Sequence, residues 1–176
     1  HLREQGYRHM NERVIVIGAS GHGKVVADII RRSGDTLLGF LDDNETLLPE
    51  ITGIPVLGKV ADYVKYIEAS FVVGIGNSAV REKIARKLDG VRWYTAIHPS
   101  AVISAMDTQI GVGSIVMANA VINPSAHIGA HCIINTSSTT TTSAVLPTFP
   151  SARSLAELCR SETTRGSVSE QPLAIT

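Results

Sequence analysis

Apolar and polar positions along the chain follow two rhythms, one before and one after about residue 97. Val14-Ile15-Val16-Ile17 is a β-branched run of the length of a buried strand. It ends in Gly18-Ala19-Ser20-Gly21-His22-Gly23-Lys24, and Val25 to Arg32 then carries an apolar face at helical spacing. The unit reads as strand, glycine turn, helix. Thr36 to Leu41 predicts a second strand, closed by Asp42-Asp43-Asn44, and Ile54 to Leu57 predicts a short third. Tyr63, Val64 and Ile67 share one face of a predicted helix. Phe71 to Gly76 reads as another buried strand, and Val80 to Leu88 as an amphipathic helix with Arg81, Lys83, Arg86 and Lys87 outward. Alternating elements of these lengths imply an α/β, Rossmann-like domain over residues 11–97, with a parallel sheet and right-handed crossovers.

From His98-Pro99 onward the helical spacing stops and an aliphatic residue returns every six positions: Ile110, Val116, Ile122, Ile128 and Ile134. Ser114, Ala120 and Ala126 recur four positions after a marker, and Gly111, Asn123 and Gly129 one position after. Helices place apolar residues three or four apart and strands two apart, so neither explains a period of six. A three-sided solenoid does, with each aliphatic side chain in a narrow interior and small residues at the corners. Residues 98–139 are therefore expected to start a parallel β-helix. Counted from the markers, they supply fewer than two complete coils, against the roughly three that independent stability requires.

Composition narrows the class of function. Lysine plus arginine equals aspartate plus glutamate at 16 each, which provides no net attraction toward nucleic acid or an anionic membrane. No apolar run reaches the roughly 20 residues of a membrane span, so membrane insertion is not expected. Cys132 and Cys159 fit neither a metal-ligand spacing nor a disulfide framework, which suits a reducing, cytoplasmic setting and predicts no metal. Cys132 stands one place from an inward position and is expected as a packed thiol. His98, His127 and His131 are expected to be structural or exposed. Residues 1–10 lack periodicity and are expected as a disordered leader, with Met10 as a natural start.

Several stretches carry a resemblance to a known family. Val14 to Lys24, Gly39-Phe40-Leu41-Asp42-Asp43, Gly74-Ile75-Gly76-Asn77 and His98-Pro99-Ser100-Ala101 leading into the hexads resemble the sialic-acid O-acetyltransferase (NeuD/PglD) family of bacterial sugar acyltransferases. The resemblance spans about Asn11 to Thr139. It implies a left-handed β-helix, assembly as a homotrimer, and acetyl transfer to a sugar amine or hydroxyl from acetyl-CoA bound between coils. By the same carry-over, Ser20, Gly21 and His22 match positions that grip a nucleotide-linked sugar, and Asp42, Asp43 and Gly76 match other substrate-contacting positions. The chemistry is consistent: N–H groups of a glycine turn at a helix N-terminus favour phosphate, and carboxylates at a strand end accept hydrogen bonds from ribose or base.

The chain departs from the family after Asn135-Thr136-Ser137-Ser138. There the family has a histidine flanked by acidic residues, the general base on the acceptor group, whereas this chain runs Thr139-Thr140-Thr141-Thr142 with no later histidine. No catalytic residue is therefore assigned. Residues 140–176 also lose the hexads and are expected as an irregular, non-family, disordered tail. Read one base out of frame with permitted codons, Ser161 to Thr176 yields G-D-D-T-W-I-G-I-G-A-T-V-S-N-N, and Ser143 to Pro150 yields I-G-G-F-A-H-V-S. Both strings have repeat character, and a frameshift in the gene is the expected origin of the tail; the rival is a natural Ser/Thr-rich linker. The expected function is that of an acetyl-CoA-dependent sugar O- or N-acetyltransferase lineage whose activity is impaired in this chain, the acyl-donor site being missing and the trimer not carried over. The alternatives are a nucleotide-sugar-binding module without catalysis and, from the glycine loop and later acidic pair, a nicotinamide-dependent oxidoreductase.

Overall fold

A computed structural model describes residues 11–140. The leader and positions 141–176, and with them the expectations of disorder, of a shifted reading frame and of the surroundings of Cys159, lie outside the described residues.

The first part is a six-stranded sheet. β1 (Arg13–Ile17) leads through α1 (Gly21–Ser33) to β2 (Thr36–Leu41), β3 (Glu50–Ile51) and β4 (Ile54–Gly58). A 3-10 helix (Val60–Tyr66) then precedes β5 (Ser70–Val73), α2 (Ser78–Lys87) and β6 (Arg92–Trp93). The strand order is β3-β4-β2-β1-β5-β6, parallel except for the β3–β4 hairpin. Alternation in β1 feeds two cores: Val14 and Val16 pack with Val26, Ile29 and Ile30 of α1, while Ile15 and Ile17 pack with Val60, Phe71 and Leu88 on the other face. Burial on both faces is why these strands read as continuous apolar runs.

Two expectations change here. The segment holding Tyr63, Val64 and Ile67 is a 3-10 helix, whose period of three aligns Tyr63 with Tyr66 against the core and leaves Val64 and Ile67 exposed. In α2, Lys83, Arg86 and Lys87 do face solvent, but Arg81 is buried at 2% exposure.

The second part is a three-sided parallel solenoid. β7 (Ala96–Ile97), β8 (Val102–Ile103) and β9 (Gln109–Ile110) form the first coil, and β10 (Ile115–Val116), β11 (Val121–Ile122) and β12 (His127–Ile128) the second. β13 (Ile133–Ile134) and β14 (Thr139–Thr140) add two sides of a third. The sides stack as β7–β10–β13, β8–β11–β14 and β9–β12. There are thus more coils than the count of fewer than two taken from the hexad markers. The first coil escapes that count because an extra residue between β8 and β9 breaks the interval of six: Ala96 pairs with Ile115, one residue further along than Ile115 pairs with Ile133.

Val116, Ile122, Ile128 and Ile134 fill the interior with Ala120, Ala126 and Cys132. Cys132 is itself an inward position in the small-residue series, rather than a neighbour of one. The corners are made by Asp107, Gly113, Asn119, Ser125, His131 and Ser137, all with φ between 52° and 72°. One residue in six takes the left-handed conformation, which Gly, Asn, Asp and His adopt most readily. Gly111, expected at a corner, serves stacking: a Cβ there would stand 2.4 Å from the Ala130 nitrogen of the next coil.

The two parts share a core, since Tyr94, Ala96, Ile115 and Met117 pack with Val26, Ala27 and Ile30 of α1. Polar ties reinforce the joint. Ser33 Oγ donates to the Ile97 carbonyl at 3.0 Å, and the Tyr94 hydroxyl donates to Asp35 Oδ2 at 2.6 Å.

Candidate functional site

β1 lies between β2 and β5, and the chain leaves it for both halves of the sheet. In open α/β sheets ligands bind among the loops at the C-terminal ends of such strands. Here these are the turn 18–20, the segment after Leu41 and the segment 74–77. Their approach is close because three glycines interlock. A Cβ on Gly23 would lie 1.9 Å from the Gly18 carbonyl oxygen, and one on Gly74 would lie 2.8 Å from Gly23 Cα. The first turn of α1 is thereby pressed against the ends of β1 and β5. Gly18 N donates to the Leu41 carbonyl and Gly74 N to the Ile17 carbonyl, both at 2.8 Å, which ties the three loops together.

The six residues expected at the site all sit in this cluster. Ser20 is the exposed N-cap of α1, and its hydroxyl makes no capping bond. Gly21 and Gly76 are exposed, with nothing within 4 Å of where a Cβ would stand. His22 is half-buried, and its Nε2 is buried without a hydrogen-bond partner among the described residues. Burial first, and the Arg81 charge second, push this imidazole below its usual range, so the ring is neutral at pH 7. Asp42 accepts from Ala19 N through Oδ2 and from Asn44 N through Oδ1, both at 2.8 Å. Its carboxylate thus fixes the glycine turn from the neighbouring strand. Asp43 Oδ1 accepts from Val60 N at 2.9 Å and holds the 3-10 helix beneath the loop. Both aspartates have visible work on the chain's own backbone.

Sequence reasoning missed Arg81, which touches this cluster from below. Its Nη1 donates to the carbonyls of Ile75 (2.9 Å) and Gly76 (3.2 Å), and its Nε donates to the His131 carbonyl at 2.8 Å. The signal was available, because Arg81 lies three and seven positions before Ile84 and Leu88 and shares their apolar stripe.

The remaining histidines among the described residues have structural or surface settings. His98 Nδ1 accepts from Ser100 N at 3.1 Å, and His127 lies 3.9 Å from Asp107 on the surface. His131 is buried edge-on against Trp93, with ring centroids 4.6 Å apart. Burial and the Arg81 charge push its pKa down to about 4. Among the described residues, no group of three or more His, Cys, Asp or Glu is placed to hold a metal, and no helix is long and apolar enough to cross a membrane.

Comparison with known proteins points in one direction. Residues 13–88 match the PglD N-terminal domain. The chain is 36% identical over 115 residues to the UDP-N-acetylbacillosamine N-acetyltransferase of Bacillus subtilis, covering 61% of this chain and 52% of that protein. It also matches an uncharacterized protein of Acanthamoeba polyphaga mimivirus at 32% identity, covering 69% of this chain and 24% of that one. The match therefore spans about half or less of these curated relatives. Among solved structures, it resembles the acetyltransferase domain of PglB from Neisseria gonorrhoeae (TM-score 0.71, 32% identity, 78% of this chain and 69% of that one). It likewise resembles PerB from Caulobacter crescentus in complex with CoA and GDP-perosamine (TM-score 0.65, 36% identity, 72% of this chain and 61% of that one).

Proposed function

The chain belongs to the PglD-type sugar acetyltransferases, and from that premise we propose that it binds a nucleotide-linked sugar in the crevice above β1 but does not itself transfer acetyl groups. The observation that carries the binding half is the loop cluster. Ser20, Gly21, His22, Asp42, Asp43 and Gly76 converge there, and both Gly21 and Gly76 border open space. A helix N-terminus with exposed N–H groups receives the diphosphate, a neutral His22 stands in its first turn, and Asp42 keeps the turn in shape. Relatives with this architecture bear names or titles that include UDP-N-acetylbacillosamine and GDP-perosamine, which supports a nucleoside-diphosphate amino sugar as the ligand class.

The catalytic half rests on the sequence beyond the second coil. In the lineage's reaction a base takes a proton from the sugar amine or hydroxyl, whose oxygen or nitrogen attacks the acetyl carbon of the thioester. The carbon–sulfur bond breaks and coenzyme A leaves as the thiol. Within these 176 residues no histidine follows His131 and the hexads stop after Ile134, so positions 141–176 carry neither a candidate base nor the sequence pattern of a further coil to hold acetyl-CoA. On this reading the solenoid is a left-handed stub that braces the binding domain, and a frameshift accounts for the tail.

Calorimetry with UDP-linked and GDP-linked amino sugars, and separately with acetyl-CoA, tests both halves. Heat from a nucleotide sugar and none from acetyl-CoA is expected. Absence of nucleotide-sugar binding would end the binding reading; acetyl-CoA-dependent thiol release above background would end the claim of lost catalysis. The codons of the gene decide the origin of the tail.

A further inference from the structure

Arg81 is a buried cation whose three described acceptors are all backbone carbonyls, and they come from two different parts of the molecule. One end of the guanidinium holds Ile75 and Gly76, in the loop that follows β5. The other end holds His131, the corner residue between β12 and β13.

The His131 end is a fixed point. Its backbone sits at φ 57°, its own N–H donates to the Val112 carbonyl at 2.9 Å, and its ring is wedged against Trp93. Gly113 leaves the room for that ring: a Cβ there would lie 2.5 Å from the imidazole. A carbonyl so held cannot follow a moving arginine. The other end is the loop, where Gly76 is exposed and a ligand would approach.

Geometry supplies the consequence. In a trans peptide the C=O and the next N–H point in opposite directions. Drawing the Ile75 and Gly76 carbonyls onto one Nη1 beneath the loop therefore turns the Gly76 and Asn77 N–H groups away from Arg81, toward the open side. Successive N–H groups facing one way form an anion-binding concavity. We propose that Arg81 is a positioning residue for the ligand site: anchored on the solenoid corner at His131, it aims the Gly76 and Asn77 N–H groups at a nucleotide diphosphate entering beside the glycine turn. This rests on the nucleotide-sugar reading of the crevice, and it gives the solenoid a role in binding. The Arg81 charge also reaches His22, so the strut acts on the glycine turn as well as on the β5 loop.

The test uses the full chain and two readouts by NMR. Residual dipolar couplings of the Gly76 and Asn77 amides report the aim of the two bonds without any ligand. Titration with uridine diphosphate, and in parallel guanosine diphosphate, reports binding. In the unaltered chain the couplings are expected to fit the outward orientation, and the diphosphate is expected to shift the amides of Gly21, His22, Gly76 and Asn77. In Arg81→Met the couplings at Gly76 and Asn77 should change while those of β1 and β2 stay, and the dissociation constant should rise about tenfold or more. Arg81→Lys keeps the charge but not the fork, so it should lose the aim while leaving the His22 titration low. Should Arg81→Met fail to fold, Arg81→Lys carries both readouts. Unchanged couplings in a folded variant overturn the proposal, as does unchanged diphosphate affinity when the unaltered chain binds. If the unaltered chain binds neither diphosphate, the nucleotide reading and the ligand role fail together, and the couplings then decide whether Arg81 still aims the loop.

Discussion

Acidification should weaken the fold through His131, and by a calculable amount. The folded imidazole titrates near 4, against 6.5 for an unhindered one, because the ring is buried and the Arg81 charge stands beside it. As the pH falls below about 6.5 the unfolded chain takes up a proton that the folded chain refuses until about 4. Stability from this group is complete above the upper value and drains as the pH falls through the window. At ~1.4 kcal/mol per pH unit, the loss from one such group approaches ~3 kcal/mol at its lower end. Screening reduces this little, since His131 is only 5% exposed. Carboxylates titrate in the same range, so the measurement must be a difference. His131→Asn suits it, because asparagine tolerates the left-handed corner at φ 57° and has no proton to gain. Urea unfolding of both chains at about pH 7, 6, 5 and 4.5 provides the two curves. Asparagine costs a constant amount for the lost contact with Trp93, but the gap between the curves should shrink steadily toward acid. A gap that stays constant across the window would refute the reasoning.

Three further outcomes follow from the packing. Gly23→Ala should destabilise the fold strongly, because its Cβ meets a backbone oxygen at 1.9 Å, whereas Gly21→Ala, with open space around it, should melt like the parent yet bind nucleotide sugar more weakly; thermal melts with calorimetry check both. Ile122→Ala, at 1% exposure in the solenoid interior, should cost about 2–4 kcal/mol by urea unfolding, against roughly 0.5 or less for Val102→Ala at 62% exposure. Asp42→Asn should cost about 1–3 kcal/mol and loosen nucleotide binding, because its amide nitrogen would face one of the two N–H groups that the carboxylate now accepts, and a melt equal to the parent's would count against the loop-fixing role.

The solenoid was legible because its geometry forces a period that neither helix nor strand shares. One aliphatic residue per side, at Val116, Ile122, Ile128 and Ile134, is a direct print of the three-sided interior. The corners were less legible. Their requirement is a left-handed φ rather than small size, which Asp107, Asn119 and His131 meet readily but which Ser125 and Ser137 do not advertise. The first coil was obscured by its extra residue, and β3 by its length of only two residues. The 3-10 helix misled because three apolar residues at positions 63, 64 and 67 suit an α-helix, while the side chains that pack are Tyr63 and Tyr66.

At the site the glycine turn was plainly legible and Arg81 showed only through its place in an apolar stripe, and the difference is physical. A glycine turn declares itself locally, since the close approach of α1 to β1 demands small residues within a few positions. Arg81 answers a demand that arises between distant segments. The loop after β5 and the corner at His131 each present carbonyls where a strand has just ended and no further strand is paired. A buried carbonyl must find a donor, and a single lysine or hydroxyl reaches at most one such cluster. Only a long, forked donor set spans both, and that set is an arginine. Its position on the apolar stripe with Ile84 and Leu88 follows from the same requirement, because a residue that bridges to the solenoid has to leave α2 on its buried side. An arginine in line with a helix's apolar face thus marks a place where two substructures meet with unpaired backbone. In this chain that place lies directly beneath the loop that borders the ligand crevice.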